Sequence, residues 1–165
     1  MLENTLVLLK PDAVRRALIG EIISRLERTG LKIIAMKMVK PTPQLAGEHY
    51  SYDDIAVRHG EDVRNRLIKF ITSDPVVAMV VEGVSAVEVV RKLAGSTEPK
   101  SALPGTIRGD FCHHTFALST EKEESIRNVI HASASVEEAE KEIGLWFNSD
   151  EVTEYKRSDQ VEHFF

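Results

Sequence analysis

A histidine at the end of an apolar run, a lysine near the start of the chain and two well-spaced arginines make a set suited to passing a phosphate onto imidazole. His131 follows Asn128-Val129-Ile130 and precedes the small residues Ala132-Ser133-Ala134-Ser135. A free imidazole has a pKa of about 6.5, so it is mostly neutral near pH 7 and nucleophilic without special activation. Lys10 follows the first apolar run, Arg91 lies before Gly95, and Arg108 lies between Gly105 and Gly109. Planar guanidinium groups match phosphate oxygens, and glycine flanks let a ligand approach the backbone. The chain has no Gly-x-x-x-x-Gly-Lys-Ser/Thr and no Gly-x-Gly-x-x-Gly. The usual glycine cradles for nucleotides are therefore absent.

The elements that must carry these residues follow from periodicity. Residues 5–9 and 76–81 are compact apolar runs and read as buried strands. Residues 31–39 are rich in β-formers and read as another strand, and His131 ends a fourth. Ile19, Ile22, Ile23 and Leu26 fall at helical spacing before Gly30, and Thr42-Pro43 opens a helix that runs through His49 and Tyr50. Residues 51–62 are polar and carry little pattern; Val63, Leu67, Phe70 and Ile71 resume helical spacing. Ser85-Ala86-Val87-Glu88 and Ser135-Val136-Glu137-Glu138 both have the capping-box form, with Gly95 and Gly144 as the matching stops. Residues 104–109 read as a loop by composition. The order predicts an α/β (α+β) fold with a βαββαβ-like order on a single small sheet, and one-sided helical stripes packing on one face.

Each candidate also has a purely structural reading. Arg91 lies four residues after Val87 and three before Ala94, on or beside the apolar stripe, where it could simply pair with Glu88. Arg108 could pair with Asp110. Thr97 adds a hydroxyl past the Gly95 stop. Glu142 borders the stripe of Val136, Ala139 and Ile143, so its carboxylate could reach back to orient an imidazole. Cys112-His113-His114 invites a metal reading, but adjacent residues on a strand point to opposite faces.

Composition narrows the class. At 165 residues, 42% hydrophobic and 28% charged, the chain reads as a single domain over 1–165 with a core of its own. The net charge of −5 makes it a poor general binder of nucleic acid, although a few cations can still converge on one small polyanion. One cysteine excludes an internal disulfide and fits a reducing compartment. With no secretory pattern and no apolar run long enough to span a membrane, the expected location is cytoplasmic.

Six blocks, in order, carry a family resemblance: Leu9-Lys10-Pro11-Asp12, His49-Tyr50, Ser73-Asp74-Pro75-Val76, Pro104-Gly105-Thr106-Ile107-Arg108-Gly109-Asp110-Phe111, Asn128-Val129-Ile130-His131 and Glu140-Lys141-Glu142-Ile143-Gly144-Leu145-Trp146-Phe147. Together they resemble nucleoside diphosphate kinase. The resemblance implies a ping-pong enzyme that moves the γ-phosphate of ATP or another nucleoside triphosphate to a diphosphate through phosphohistidine. It implies a ferredoxin-like βαββαβ domain, a small antiparallel sheet covered by helices, that assembles as a homo-oligomer, a tetramer or hexamer. On that basis His131 is the nucleophile, with Glu142 and Ser133 orienting its ring. Lys10 and Tyr50 would act near the transferred group, Arg91, Thr97 and Arg108 on the phosphates, and Asn128 at the sugar. Mg²⁺ would arrive with the nucleotide, since no carboxylate cluster reads as a metal cage.

The chain departs from the family's pattern in three places. Ala132 and Ala134 stand where members usually carry glycine and aspartate, Val63 stands where an aromatic stacks on the base, and residues 112–127 form a longer excursion than compact members have. Tyr52 is a candidate substitute for the missing aromatic. These departures keep open an alternative: a nucleotide-binding regulatory module of the same fold with little turnover.

Overall fold

Strands that are apolar at every position need cover on both faces, because successive side chains point to opposite sides of a sheet. The computed structural model describes residues 2–164 and meets that demand. The elements in chain order are β1 (Leu2–Leu9), α1 (Pro11–Arg15), α2 (Ile19–Glu27), β2 (Lys32–Val39), α3 (Pro43–His49), a π-helical turn (Tyr52–Ala56), α4 (Val57–His59) and α5 (Glu61–Ile71). Then follow β3 (Val76–Val84), α6 (Ala86–Ala94), α7 (Ile107–Phe111), α8 (Phe116–Glu121), β4 (Ile130–Ala132), α9 (Val136–Trp146) and α10 (Gln160–Phe164). The sheet order is β2-β3-β1-β4, with every pairing antiparallel.

Val7, Leu9, Val77, Met79 and Val81 face Ile22 and Leu26 of α2 and Val90 of α6. Leu6, Leu8, Val76, Ala78 and Val80 face Ala46 of α3, Ile71 of α5 and Trp146 of α9. Helices therefore cover both faces, which corrects the one-face expectation. The stripe on each helix is one-sided, but the strands are not, and the strands decide.

Several local readings are corrected too. Residues 51–62 are largely helical, with a π-turn and α4 held by local pairs such as Arg58 with Asp54 rather than by an apolar stripe. The expected loop at 104–109 becomes α7 from Ile107, because Thr106 caps it by accepting from Gly109 N at 3.1 Å. Gly109 serves that turn rather than a ligand: a Cβ there would lie 2.1 Å from Leu103 O. Ser85 does not cap α6; it takes a left-handed backbone (φ 50°) and its side chain makes no cap bond. Ser135 does cap α9, but that helix runs through Gly144 to the buried Trp146, since packing outweighs one exposed glycine. Cys112-His113-His114 is irregular chain, not strand.

The tail is anchored. Tyr155 Oη donates to Ile33 O at 2.9 Å, Arg157 Nη1 donates to Leu31 O at 2.7 Å, and the His163 ring sits against Gly30. Phe165 and the Phe164 side chain lie outside the described residues.

Candidate active site

The short strand β4 is placed by an unusual turn. Val129 has φ +56°, a backbone that a β-branched residue rarely adopts. Ile130 N donates to Asn128 O across it at 2.7 Å. Two contacts from the β1–α1 junction hold it: Lys10 N donates to Val129 O at 2.8 Å, and Val129 N donates to the buried Asp12 Oδ2 at 3.0 Å. The turn sets Asn128 and His131 on either side of one cleft, with His131 opposite Leu8 in the ladder. Asp12 and Val129 were not singled out by the sequence reading. Neither residue type signals a strained turn; only the fold brings them together.

A cleft of about 790 Å³ runs inward from α5 and α8 to β4. Lys10, Tyr50, Val63, Arg91, Thr97, Arg108, Asn128, His131 and Glu142 all line it. Ser133 does not; it is buried behind Glu142. Glu142 is buried in place of Val136, so the inward stripe of α9 is Ala139, Glu142 and Trp146.

Behind the imidazole lies a chain of hydrogen bonds. Leu6 N donates to Ser133 Oγ at 3.3 Å, and Ser133 Oγ donates to Glu142 Oε2 at 2.6 Å. Glu142 Oε1 lies 2.8 Å from His131 Nε2. A carboxylate there favours the tautomer with the proton on Nε2, which leaves the Nδ1 lone pair free. Burial, then Lys10, holds the His131 pKa at about 3, so the ring is neutral near pH 7. Burial raises the Glu142 pKa, while His49 and the Ser133 hydroxyl oppose the rise.

His49 carries no signal in the sequence beyond its place beside Tyr50, yet its ring packs directly against His131. Its ring is edge-on to His131, with centroids 4.6 Å apart, and its Nδ1 lies 3.3 Å from Glu142 Oε1. Trp146 Nε1 donates to the same Nδ1 at 3.3 Å. Burial, then His131, pulls the His49 pKa to about 3. It therefore backs His131 as a neutral wall.

Lys10, Arg91 and Arg108 converge on the cleft and form no ion pair among the described residues, although Asp12 lies near enough to Lys10 and Arg108 to offset part of their repulsion. Lys10 Nζ donates to Asn128 Oδ1 at 2.8 Å, and Asn128 Nδ2 donates to Thr97 O at 2.9 Å. Burial, then Arg108, lowers the Lys10 pKa to about 8. Burial, then Arg91, lowers that of Arg108 to about 10. Like charges that depress one another define a place for an anion. The two arginines differ in kind. Arg108 is buried and donates to Gly95 O and Ile130 O, each at 2.7 Å, and to Asn128 O at 3.4 Å. Arg91 is exposed and, among the described residues, forms no ion pair with Glu88. Asp110 pairs with Arg25 at 2.7 Å, not with Arg108.

Ala132 continues β4 opposite Val7, and Ala134 N donates to the Glu138 carboxylate, so neither alanine breaks the site. Tyr50 is buried, and burial pushes its phenol above the ordinary value, so it stays a hydroxyl donor. Among the described residues, the one group of three candidate metal ligands is His49, His131 and Glu142; Cys112, His113 and His114 form none.

The Glu142 link can be tested. Glu142→Gln keeps the shape but weakens the hold on the Nε2 proton. Turnover is expected to fall about 10²-fold with little change in nucleotide affinity. Steady-state kinetics check this, and a change in KM alone would contradict it.

Comparison with known proteins agrees with this geometry. The family profile described as nucleoside diphosphate kinase matches residues 3–152. A nucleoside diphosphate kinase of Borreliella burgdorferi is 56% identical over 165 residues, covering 100% of this chain and 99% of that protein. One of Pyrococcus abyssi is 52% identical over 157 residues, covering 95% of this chain and 91% of that protein. A solved structure, a transition-state mimic of the Borrelia burgdorferi enzyme with bound vanadate and ADP, superposes with a TM-score of 0.97 at 57% identity, covering 99% of this chain and 97% of that one. A chain that matches such enzymes along nearly its whole length, and sets its histidine in a cationic cleft, belongs to the nucleoside diphosphate kinase family.

Proposed function

We propose that His131 Nδ1 is the atom that carries the phosphate in this phosphotransferase. The observation that carries the reading is the 2.8 Å contact between Glu142 and Nε2, which leaves Nδ1 without a proton, and among the described residues without a hydrogen bond. In the first half-reaction the Nδ1 lone pair bonds to the γ-phosphorus of a nucleoside triphosphate. The bond from that phosphorus to the β–γ bridging oxygen breaks, and the diphosphate leaves with the electron pair. In the second, a terminal oxygen of another diphosphate attacks, and the N–P bond returns its electrons to the ring. Glu142 and Ser133 orient the imidazole through both steps.

Phosphoryl transfer asks for positioning and charge stabilisation above all. Arg91, Thr97 and Arg108 hold the phosphates, Lys10 and the Tyr50 hydroxyl attend the transferred group, Asn128 meets the sugar, and Val63 borders the base. The ligand set His49, His131 and Glu142 is only partly exposed and nitrogen-rich, unlike the oxygen shell that Mg²⁺ takes. Mg²⁺ therefore enters as part of the substrate, on phosphate oxygens and water. The catalytic unit spans 1–165 and works in the cytoplasm; no helix among the described residues is long and apolar enough to cross a membrane. It assembles as a tetramer or hexamer, supported by the second half of the edge strand β2, past the tail's contacts at Ile33 and Ile34, where Met36 and Met38 are exposed. Sedimentation velocity checks the assembly.

The test of the reaction is a chase. Protein incubated with γ-labelled ATP and Mg²⁺ should take up an acid-labile label and pass it to GDP. Protein that binds ADP but takes up no label would overturn the reading. Lys10 adds a pH signature. Its cation is lost as pH rises through about 8, so kcat/KM should fall on the alkaline side from there. Lys10→Gln should be slower throughout and lack that limb. A limb that survives in the variant belongs to another group.

A further inference from the structure

We propose that Phe116, on the 112–127 excursion, is the platform on which the nucleobase stacks. The proposal rests on the reading of the cleft as a nucleotide site and assigns its outer end. Val63 lines that end but offers no ring face. Tyr52, the candidate substitute, does not line the cleft at all. Two tyrosine or phenylalanine rings do: Tyr50, which is buried, and Phe116, which is 48% exposed. An exposed ring inside a ligand-sized cleft, left unpacked by the core, is placed to pack on something that arrives.

Phe116 is also held as a binding residue would be. It is the first residue of α8, which Thr115 caps by accepting from Leu118 N at 3.1 Å. Phe116 N donates to Glu98 Oε1 at 2.8 Å, next to Thr97 in the chain. Lys100 N donates to His114 O at 3.3 Å, a second tie between the excursion and the phosphate end. On the other side, Arg66, one turn beyond Val63 on α5, donates to Ser119 O at 3.4 Å. The excursion thus joins α5 to the segment carrying Thr97, and Phe116 stands between them. Aromatic stacking tolerates every base, because each has a π-face. The aromatic role assigned to position 63 by resemblance has moved to a different element.

The experiment compares ADP with ribose 5-diphosphate, which keeps sugar and phosphates but lacks the base. Both are titrated by calorimetry into wild type, Phe116→Ala and Phe116→Tyr. Phe116→Ala should bind ADP roughly tenfold or more weakly, bind ribose 5-diphosphate like wild type, and keep the wild-type melting temperature. Phe116→Tyr should restore ADP affinity. Equal ADP affinity in Phe116→Ala and wild type would overturn the proposal, as would equal losses for both ligands. The labelled-ATP chase on wild type separates this from the larger reading. A protein that forms phosphohistidine yet ignores Phe116 refutes the platform alone, and one that forms none refutes the nucleotide reading beneath it.

Discussion

His131→Ala should lower phosphate transfer by at least about 10⁴-fold and abolish the acid-labile label, while nucleotide binding persists. On the proposed reading the rest of the cleft supplies affinity and charge stabilisation, and among the described residues no other group is placed to accept the phosphorus. His49 is the nearest imidazole, yet its side chain is 1% exposed and packed edge-on against His131. Label appearing in the variant at wild-type stoichiometry would move the nucleophile elsewhere. The substitution also carries a stability signature. Both His131 and His49 are held at about 3 in the fold, against 6.5 ordinarily. Below pH 6.5 the unfolded chain takes up protons that the folded chain refuses, so stability falls with acidification from 6.5 towards 3. Removing one of the two groups should make that fall shallower. Denaturant melts at pH 7 and pH 4.5 measure it, and an unchanged slope would mean that His131 protonates freely in the fold.

The second large effect separates two arginines that look alike on paper. Arg108→Ala should cost roughly 3–5 kcal/mol of stability, because it strands carbonyls of Gly95, Asn128 and Ile130 that the guanidinium now satisfies. The turn carrying Asn128 and the strand carrying His131 should loosen with it, so activity falls further than phosphate affinity. Arg91→Ala should leave stability within about 0.5 kcal/mol, since the side chain is exposed and forms no hydrogen bond or ion pair among the described residues. Its expected effect is on ADP affinity, about tenfold to a hundredfold weaker, from loss of a charge-assisted contact. Urea unfolding and ADP titration on both variants decide the matter. Equal stability losses would mean that both arginines are structural.

Much was legible before any coordinates. Apolar runs at 5–9 and 76–81 announced the central strands, Thr42-Pro43 announced a helix start, and the blocks around Lys10, Arg108, His131 and Glu142 supplied residues that the fold brings to one cleft. These signals are local: periodicity, caps and residue chemistry are written within a turn or a strand. What was not local was misread or missed. Both faces of the sheet are covered because β1 and β3 are buried in the middle, which depends on strand order. Val129 keeps its strained turn because Asp12, 117 residues away in the chain, accepts its N–H. The buried Arg108 and the exposed Arg91 differ only in which carbonyls the fold brings near. His49 became part of the site through a ring contact across 82 residues, and Phe116 entered the cleft through a bond to Glu98. Residue types and their spacing thus suggested phosphate passed onto imidazole, and the family resemblance turned that suggestion into the reaction proposed above. Which atom is free to attack, which cation is structural and which ring faces the cleft depend on long-range contacts, and those exist only once the chain has closed on itself.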